Sequence, residues 1–251
     1  MTFRLEICCF NIQSALVAQQ AGAHRVELCA DPANGGTTPS MGVIKTARSR
    51  IHIPLYPIIR PRGGDFLFSQ DEIDIMKQDV LTCKQLGCDG VVVGLLGKEG
   101  TVDKKILSMI VQTAYPMGVT FHRAFDWSSN PFEALEDIIE CGCERILTSG
   151  QQPVAMQGSG LINALVRQAN NRIIIMAGSG LNSSNIAALA NTTGCEEFHA
   201  SARMKWISAM QFHNEAMHDD QSTVQADPAE ITAMLDILKN KFSSKDSSTD
   251  T

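Results

Sequence analysis

Short apolar runs recur along the chain, separated by segments long enough to be helices. The runs at 3–9, 25–30, 55–60, 90–95, 119–124, 145–149, 172–177 and 197–201 read as strands. Two helix starts carry their own signals. Ser69-Gln70-Asp71-Glu72 is a capping box, in which the serine side chain and the later carboxylate satisfy amides that a first turn leaves free. Asn130-Pro131 sets a capping side chain before a proline whose missing N–H costs nothing at the first helical position. Eight βα units in succession predict an α/β fold, a single-domain (β/α)8 TIM-type barrel over 1–242 with a C-terminal helix, followed by a short mobile tail at 243–251. A doubly wound open sheet is the alternative topology.

A finer repeat fixes which residues share a layer. Gly22-Ala23-His24, Gly87-Cys88-Asp89, Gly142-Cys143-Glu144 and Gly194-Cys195-Glu196 precede the second, fourth, sixth and eighth strands. Glycine suits a helix C-cap that must turn left-handed, and alternate strands of such a barrel supply one interior layer. Counting five residues from each glycine gives Glu27, Val92, Leu147 and His199; counting seven gives Cys29, Gly94, Ser149 and Ser201. The second set is a ring of small groups at the outgoing mouth, with Glu27 and His199 beneath it. Cys88, Cys143 and Cys195 fall at strand entrances and read as small buried hydrophobes. Cys8 and Cys29 differ, because each follows a glutamate by two residues, in Leu5-Glu6-Ile7-Cys8 and Val26-Glu27-Leu28-Cys29. Strand residues two apart share a face. Two thiols and two carboxylates are therefore expected to line one interior sector.

Composition narrows the function classes. The 251 residues are 44% hydrophobic and 19% charged, which excludes wholesale disorder. A net charge of −6 argues against a nucleic-acid binder. No apolar run approaches the ~20 residues that cross a bilayer, and the first residues lack the apolar stretch of a signal peptide, so a cytoplasmic protein is expected. Eight cysteines without a C-x-x-C pair read as thiols of a reducing compartment and exclude a zinc finger.

Charge concentrates where the strands exit. Strand three runs into Arg60-Pro61-Arg62-Gly63-Gly64-Asp65-Phe66, and strand seven into Gly178-Ser179-Gly180, with a helix expected from about Asn182 or Ser183. Free amides at a helix start favour anions, so Arg60, Arg62, Ser179, Gly180 and Arg203 are the expected anion-binding set. The alternative is that Glu6, Glu27 and Asp65 consume the arginines in salt bridges. His122, in Thr120-Phe121-His122-Arg123-Ala124-Phe125-Asp126, is the first candidate for general acid/base work, with Glu27 and Glu6 beside it and His199 second. His24 and His52 fall at strand entrances as bystanders. His213 and His218, near Met204, Met210 and Met217, read as a loop or helix face rather than a metal patch. No lysine lies in an expected strand, which disfavours a Schiff-base aldolase.

The runs Leu5–Cys8, Arg25–Cys29, Gly35-Gly36-Thr37-Thr38-Pro39-Ser40, Pro57–Phe66, Thr120–Asp126 and Leu147-Thr148-Ser149-Gly150 resemble the CutC copper homeostasis family, from about Leu5 to Arg203. The chain departs from that pattern at His24, where Asp is usual, and at His213, where Arg is common. The resemblance implies a TIM-type barrel, a cytoplasmic place, and a Cu(I) ion held by Cys8 and Cys29. The resemblance and the residues at the mouth lead to two readings. One is a copper-binding homeostasis protein. The other is an enzyme that acts on a small phosphorylated or carboxylated metabolite through His122 or Glu27. The implied partners are a copper ion and a small anionic ligand, with self-association open and neither nucleic acid nor membrane.

Overall fold

The computed structural model describes residues 3–218 and 221–246. Eight strands appear where the apolar runs predict them: β1 (Arg4–Cys9), β2 (Arg25–Leu28), β3 (Leu55–Pro57), β4 (Gly90–Val93), β5 (Gly118–Phe121), β6 (Arg145–Thr148), β7 (Ile174–Gly178) and β8 (Glu197–Ala200). Every ladder between them is parallel, in the order β3-β2-β1-β8-β7-β6-β5-β4. A parallel bridge between Ile58 and Val92 joins the two ends, with the Ile59 amide donating to the Val92 carbonyl at 2.7 Å. The sheet thus closes into a barrel, and the open doubly wound alternative falls.

Helices α1 (Ile12–Gln20), α2 (Met41–Arg48), α3 (Gln70–Gln85), α4 (Lys104–Ala114), α5 (Pro131–Glu140), α6 (Ser159–Ala169), α7 (Ile186–Thr193) and α8 (Pro228–Asp246) surround it. Both predicted starts are present: the Ser69–Glu72 capping box is reciprocal, and the Asn130 side chain accepts from the amides of Phe132 and Glu133. The four repeat glycines all turn left-handed, at φ +93° for Gly22, +75° for Gly87, +86° for Gly142 and +74° for Gly194. Helix α8 continues past the expected boundary at 242, and residues 247–251 lie outside the described residues. No helix among the described residues is long and apolar enough to cross a membrane.

Strand alternation sorts the core into two parts. Leu5, Ile7, Cys9, Val26, Leu28, Val91, Val93, Phe121, Ile146 and Phe198 point outward into the strand–helix layer, the larger apolar cluster. Cys8, Cys29, Tyr56, Ile58 and Val92 form a separate cluster inside the barrel. The sequence reading missed one element. After β8 the chain forms an antiparallel ribbon of β9 (Arg203–Trp206) and β10 (Thr223–Ala226). The Asn11 side chain donates to the Val224 carbonyl, and the Ala226 amide donates to Ser14 Oγ, which fasten the ribbon to α1. Lys205 is exposed on β9, a strand lysine outside the barrel interior.

Candidate metal and anion site at the barrel mouth

The interior begins with charge. Arg25 on β2 donates to both Glu6 on β1 and Glu197 on β8. Arg145 on β6 meets the same Glu197 at 2.6 Å, Glu144 at 2.7 Å and Thr120 at 3.0 Å. Tyr56 on β3 closes the set by donating to Glu144 at 2.8 Å. Two arginines face two buried glutamates, so the charges balance inside, and each head group has hydrogen-bond partners, as burial requires.

One level up, the second oxygen of Glu6 lies 2.7 Å from His199 Nδ1, and His199 Nε2 lies 3.7 Å from Glu27. Burial works against the Glu6 anion, but Arg25, His199 and Arg145 overcome it and hold its carboxyl far below the usual carboxylate range. Glu6 is therefore a fixed anion that orients His199, not the proton carrier expected from the sequence. Burial also opposes a charge on His199, yet Glu27, Cys8 and Glu6 push its pKa well up. Glu27, buried and beside Cys8, is pushed up as well.

The two thiols meet above these groups as the twin Glu-x-Cys pattern predicts. Cys8 Sγ and Cys29 Sγ are 3.6 Å apart, and with a Glu27 carboxylate oxygen they form a donor cluster within 4.8 Å. The hydrogen bond with Cys29, aided by His199 against the cost of burial, brings the Cys8 thiol down to about 5. Burial and the neighbouring Cys8 charge push Cys29 well up. The result is one thiolate with one thiol beside it. Close approach needs Gly36, where a Cβ would stand 3.3 Å from Cys29 Sγ on a backbone at φ +102°.

A cavity of about 250 Å³ opens over the cluster at the C-terminal end of the strands, the face where such barrels place their chemistry. Of the expected anion-binding residues, Arg60, Ser179, Gly180 and Arg203 line it. Arg62 does not. Its guanidinium is spent on Glu72 at 2.6 Å and Asp65 at 3.0 Å, and on the carbonyls of Gly63, Asp65 and Leu67. The extended run lasts through the Ile58 bridge and the chain bends from Pro61 to Gly64, so Arg62 no longer follows the inward parity of Ile58 and Arg60.

The expected helix start after β7 also needs correction. Helix α7 begins at Ile186, and the amides of Ser183 and Ser184 are taken by Glu230 and the Asn182 side chain. Ser179, at φ +88°, donates its hydroxyl to the Pro153 carbonyl and accepts from Arg123 at 3.2 Å. The helix end offers no bare amides at Ser183 and Ser184.

His122 sits across the mouth from Cys8, 4% exposed. Its Nδ1 accepts from the Ala124 amide, which places the proton on Nε2. Burial, reinforced by nearby Arg60, lowers its pKa to about 3. A group this acidic is neutral near pH 7, so the near-neutral acid/base role expected of His122 is replaced by that of a neutral hydrogen-bond donor. Gly94 makes room for it, since a Cβ there would stand 2.3 Å from the ring. The sequence reading missed Arg123, which ties Asp126, Ser149 and Ser179 together at the rim. Its place in the Thr120–Asp126 run was the available signal.

Comparison with known proteins places this geometry among relatives. The profile described as the CutC family matches residues 3–204. A protein named as a CutC family member in Pasteurella multocida is 46% identical over 236 residues, covering 92% of this chain and 97% of that one. Its namesake in Chromobacterium violaceum is 51% identical over 208 residues, covering 83% and 84%. The crystal structure of the Streptococcus agalactiae protein CutC, described by name as a copper homeostasis protein, superposes with a TM-score of 0.76 at 33% identity, covering 80% of this chain and 99% of that one.

Proposed function

Because this chain belongs to the CutC family, we propose that it serves copper homeostasis in the cytoplasm by binding Cu(I) as cargo at Cys8 and Cys29. The observation that carries the proposal is the pair of sulfurs 3.6 Å apart with Glu27 in the same cluster. Thiolates are soft donors suited to monovalent copper. Sulfurs on opposite sides of one ion would stand about 4.6 Å apart, taking a metal–sulfur bond of about 2.3 Å. The shorter spacing favours a bent site with a third donor, and Glu27 supplies one. Loading displaces the proton that Cys29 carries. The eight cysteines are all free thiols, which supports a reducing compartment.

Titration with Cu(I) against a competing chelator is the test. The native chain is expected to take one tightly held ion, and the Cys8→Ser/Cys29→Ser double variant is expected to lose it, with affinity lower by at least a hundredfold. Equal stoichiometry and affinity in the two proteins would remove the site from these residues.

A second reading is favoured by one observation: His122 Nε2, a donor, is buried at the mouth without a partner. In this reading the barrel is an enzyme that acts on a small phosphorylated or carboxylated metabolite. Glu27 carries the proton, and His122 donates its hydrogen bond to the substrate. Turnover that Glu27→Gln abolishes while ligand affinity persists would separate catalysis from carriage.

A further inference from the structure

Two buried cationic or donor groups at the mouth are left incomplete, and both residues line one cavity. Arg60 is 6% exposed. Its guanidinium donates to the carbonyls of Asn34 at 2.7 Å, Gly36 at 3.0 Å and Gly64 at 2.7 Å. No carboxylate pairs with it among the described residues, and its Nε has no partner. A buried charge without a counter-ion is costly. The arginines of the lower interior are each paired with glutamates, so this exception is local to the mouth. His122 Nε2 is the other incomplete group. The ring of Phe66 brings the two together, with Arg60 4.9 Å above it and the His122 ring centred 5.2 Å away.

We propose that this cavity binds a small organic oxyanion, a carboxylate or a phosphate monoester, whose oxygens accept from Arg60 Nε and His122 Nε2. The anion supplies both missing partners: a negative charge for the guanidinium and an acceptor for the neutral imidazole. Charge-assisted bonds of this kind are about twice as strong as neutral ones. The body of the ligand lies toward Phe10 and Leu181, an apolar stretch of the same wall. Arg203, exposed and stacked 5.6 Å over Phe10, stands at the entrance without an acidic partner among the described residues. The free volume of about 250 Å³ equals roughly eight waters at ~30 Å³ each. That suits a small metabolite and excludes a polymer. The inference rests on the second reading of function, which it deepens by naming the two nitrogens that hold the ligand, and it is independent of copper.

Calorimetry on the metal-free chain tests it with three probes: inorganic phosphate, glycerol 3-phosphate and pyruvate. One class is expected to bind saturably at one per chain, and the class that binds distinguishes phosphate from carboxylate chemistry. His122→Asn keeps an acceptor for the Ala124 amide and removes the Nε2 donor; it is expected to weaken binding at least tenfold. Arg60→Lys is expected to do the same, with thermal unfolding confirming that each variant is folded. Arg62→Ala, outside the cavity, is expected to bind as the native chain does. Absence of saturable binding by all three probes at 10-fold the protein concentration and above, or equal affinity in His122→Asn, would overturn the proposal. Binding without turnover would leave it standing and defeat the enzyme reading alone.

Discussion

The entrance half and the mouth half of the barrel interior are lined by inward-facing residues of one barrel, the first on the strands and the second largely at and just past their ends, yet they treat polarity in opposite ways. Near the entrance, Arg25, Arg145, Glu6, Glu197 and Tyr56 answer one another, and the buried guanidinium Nε atoms there all have partners. Near the mouth, Arg60 and His122 each keep a buried nitrogen without one, and two sulfurs share what acts as a single negative charge. A matched network holds shape. An unmatched one costs stability and is completed only by something from outside, which is what a binding site is in energetic terms. The contrast is steepest across Glu6, whose one oxygen belongs to the arginine below and whose other faces His199 above.

The largest break in this contrast is expected from Arg25→Leu. It leaves Glu6 in the interior without its arginine and Glu197 hydrogen-bonded to Arg145 alone, and loss of one partner of a buried pair costs about 3–5 kcal/mol. Urea unfolding is expected to show that loss. A loss under 1 kcal/mol would mean that the lower network is not the support described here.

Acid sharpens the comparison from the other side. From about pH 6.5 downward the unfolded chain takes up a proton that folded His122 refuses until about pH 3. His122 alone therefore makes the unfolded state bind one more proton, and its own contribution to stability falls as the pH falls through that window, by roughly 3 kcal/mol at pH 4. Glu27, pushed up when folded, works the other way above about 4.5. Glu6, held low when folded, adds its own loss below about 4.5. Stability measured at a series of pH values is expected to lose the first window, and keep the second, in His122→Asn. An unchanged profile in that variant would put the histidine's titration elsewhere.

The smallest effect is expected at Arg62. It is 38% exposed and paired with Glu72 and Asp65, so Arg62→Ala is expected to cost about 0–1 kcal/mol. A cost above 2 kcal/mol, read from the same unfolding curves, would show that the loop it ties is part of the mouth's support.

Much of this was legible in the residues. The four glycine-led repeats set the inward register, and the same count that places Glu27 beside His199 also places Arg25, Arg145 and Glu197 three residues from their glycines. Those charges went unread because a buried arginine makes sense only beside its carboxylate, and Glu197 is far from Arg25 in sequence. The twin Glu-x-Cys pattern brought Cys8 to Cys29 because both residues obey strand parity. Arg62 misled for the converse reason: parity lapses where the strand ends. The β9–β10 ribbon was invisible because its strands are only four residues each, too short for the alternation of Met204 and Trp206 with Arg203 and Lys205 to stand out, and β9 is exposed.

That ribbon has a consequence for the order in which the molecule is completed. Its bonds to Asn11 and Ser14 span 213 and 212 residues of chain. Arg203 starts this ribbon and Ser201 lies just before it, so a ribosome must deliver the chain through β10 before the ribbon beside the mouth is fastened. Contacts of such long range form slowly. Until they do, the nascent barrel carries its thiol pair beneath an unfinished rim.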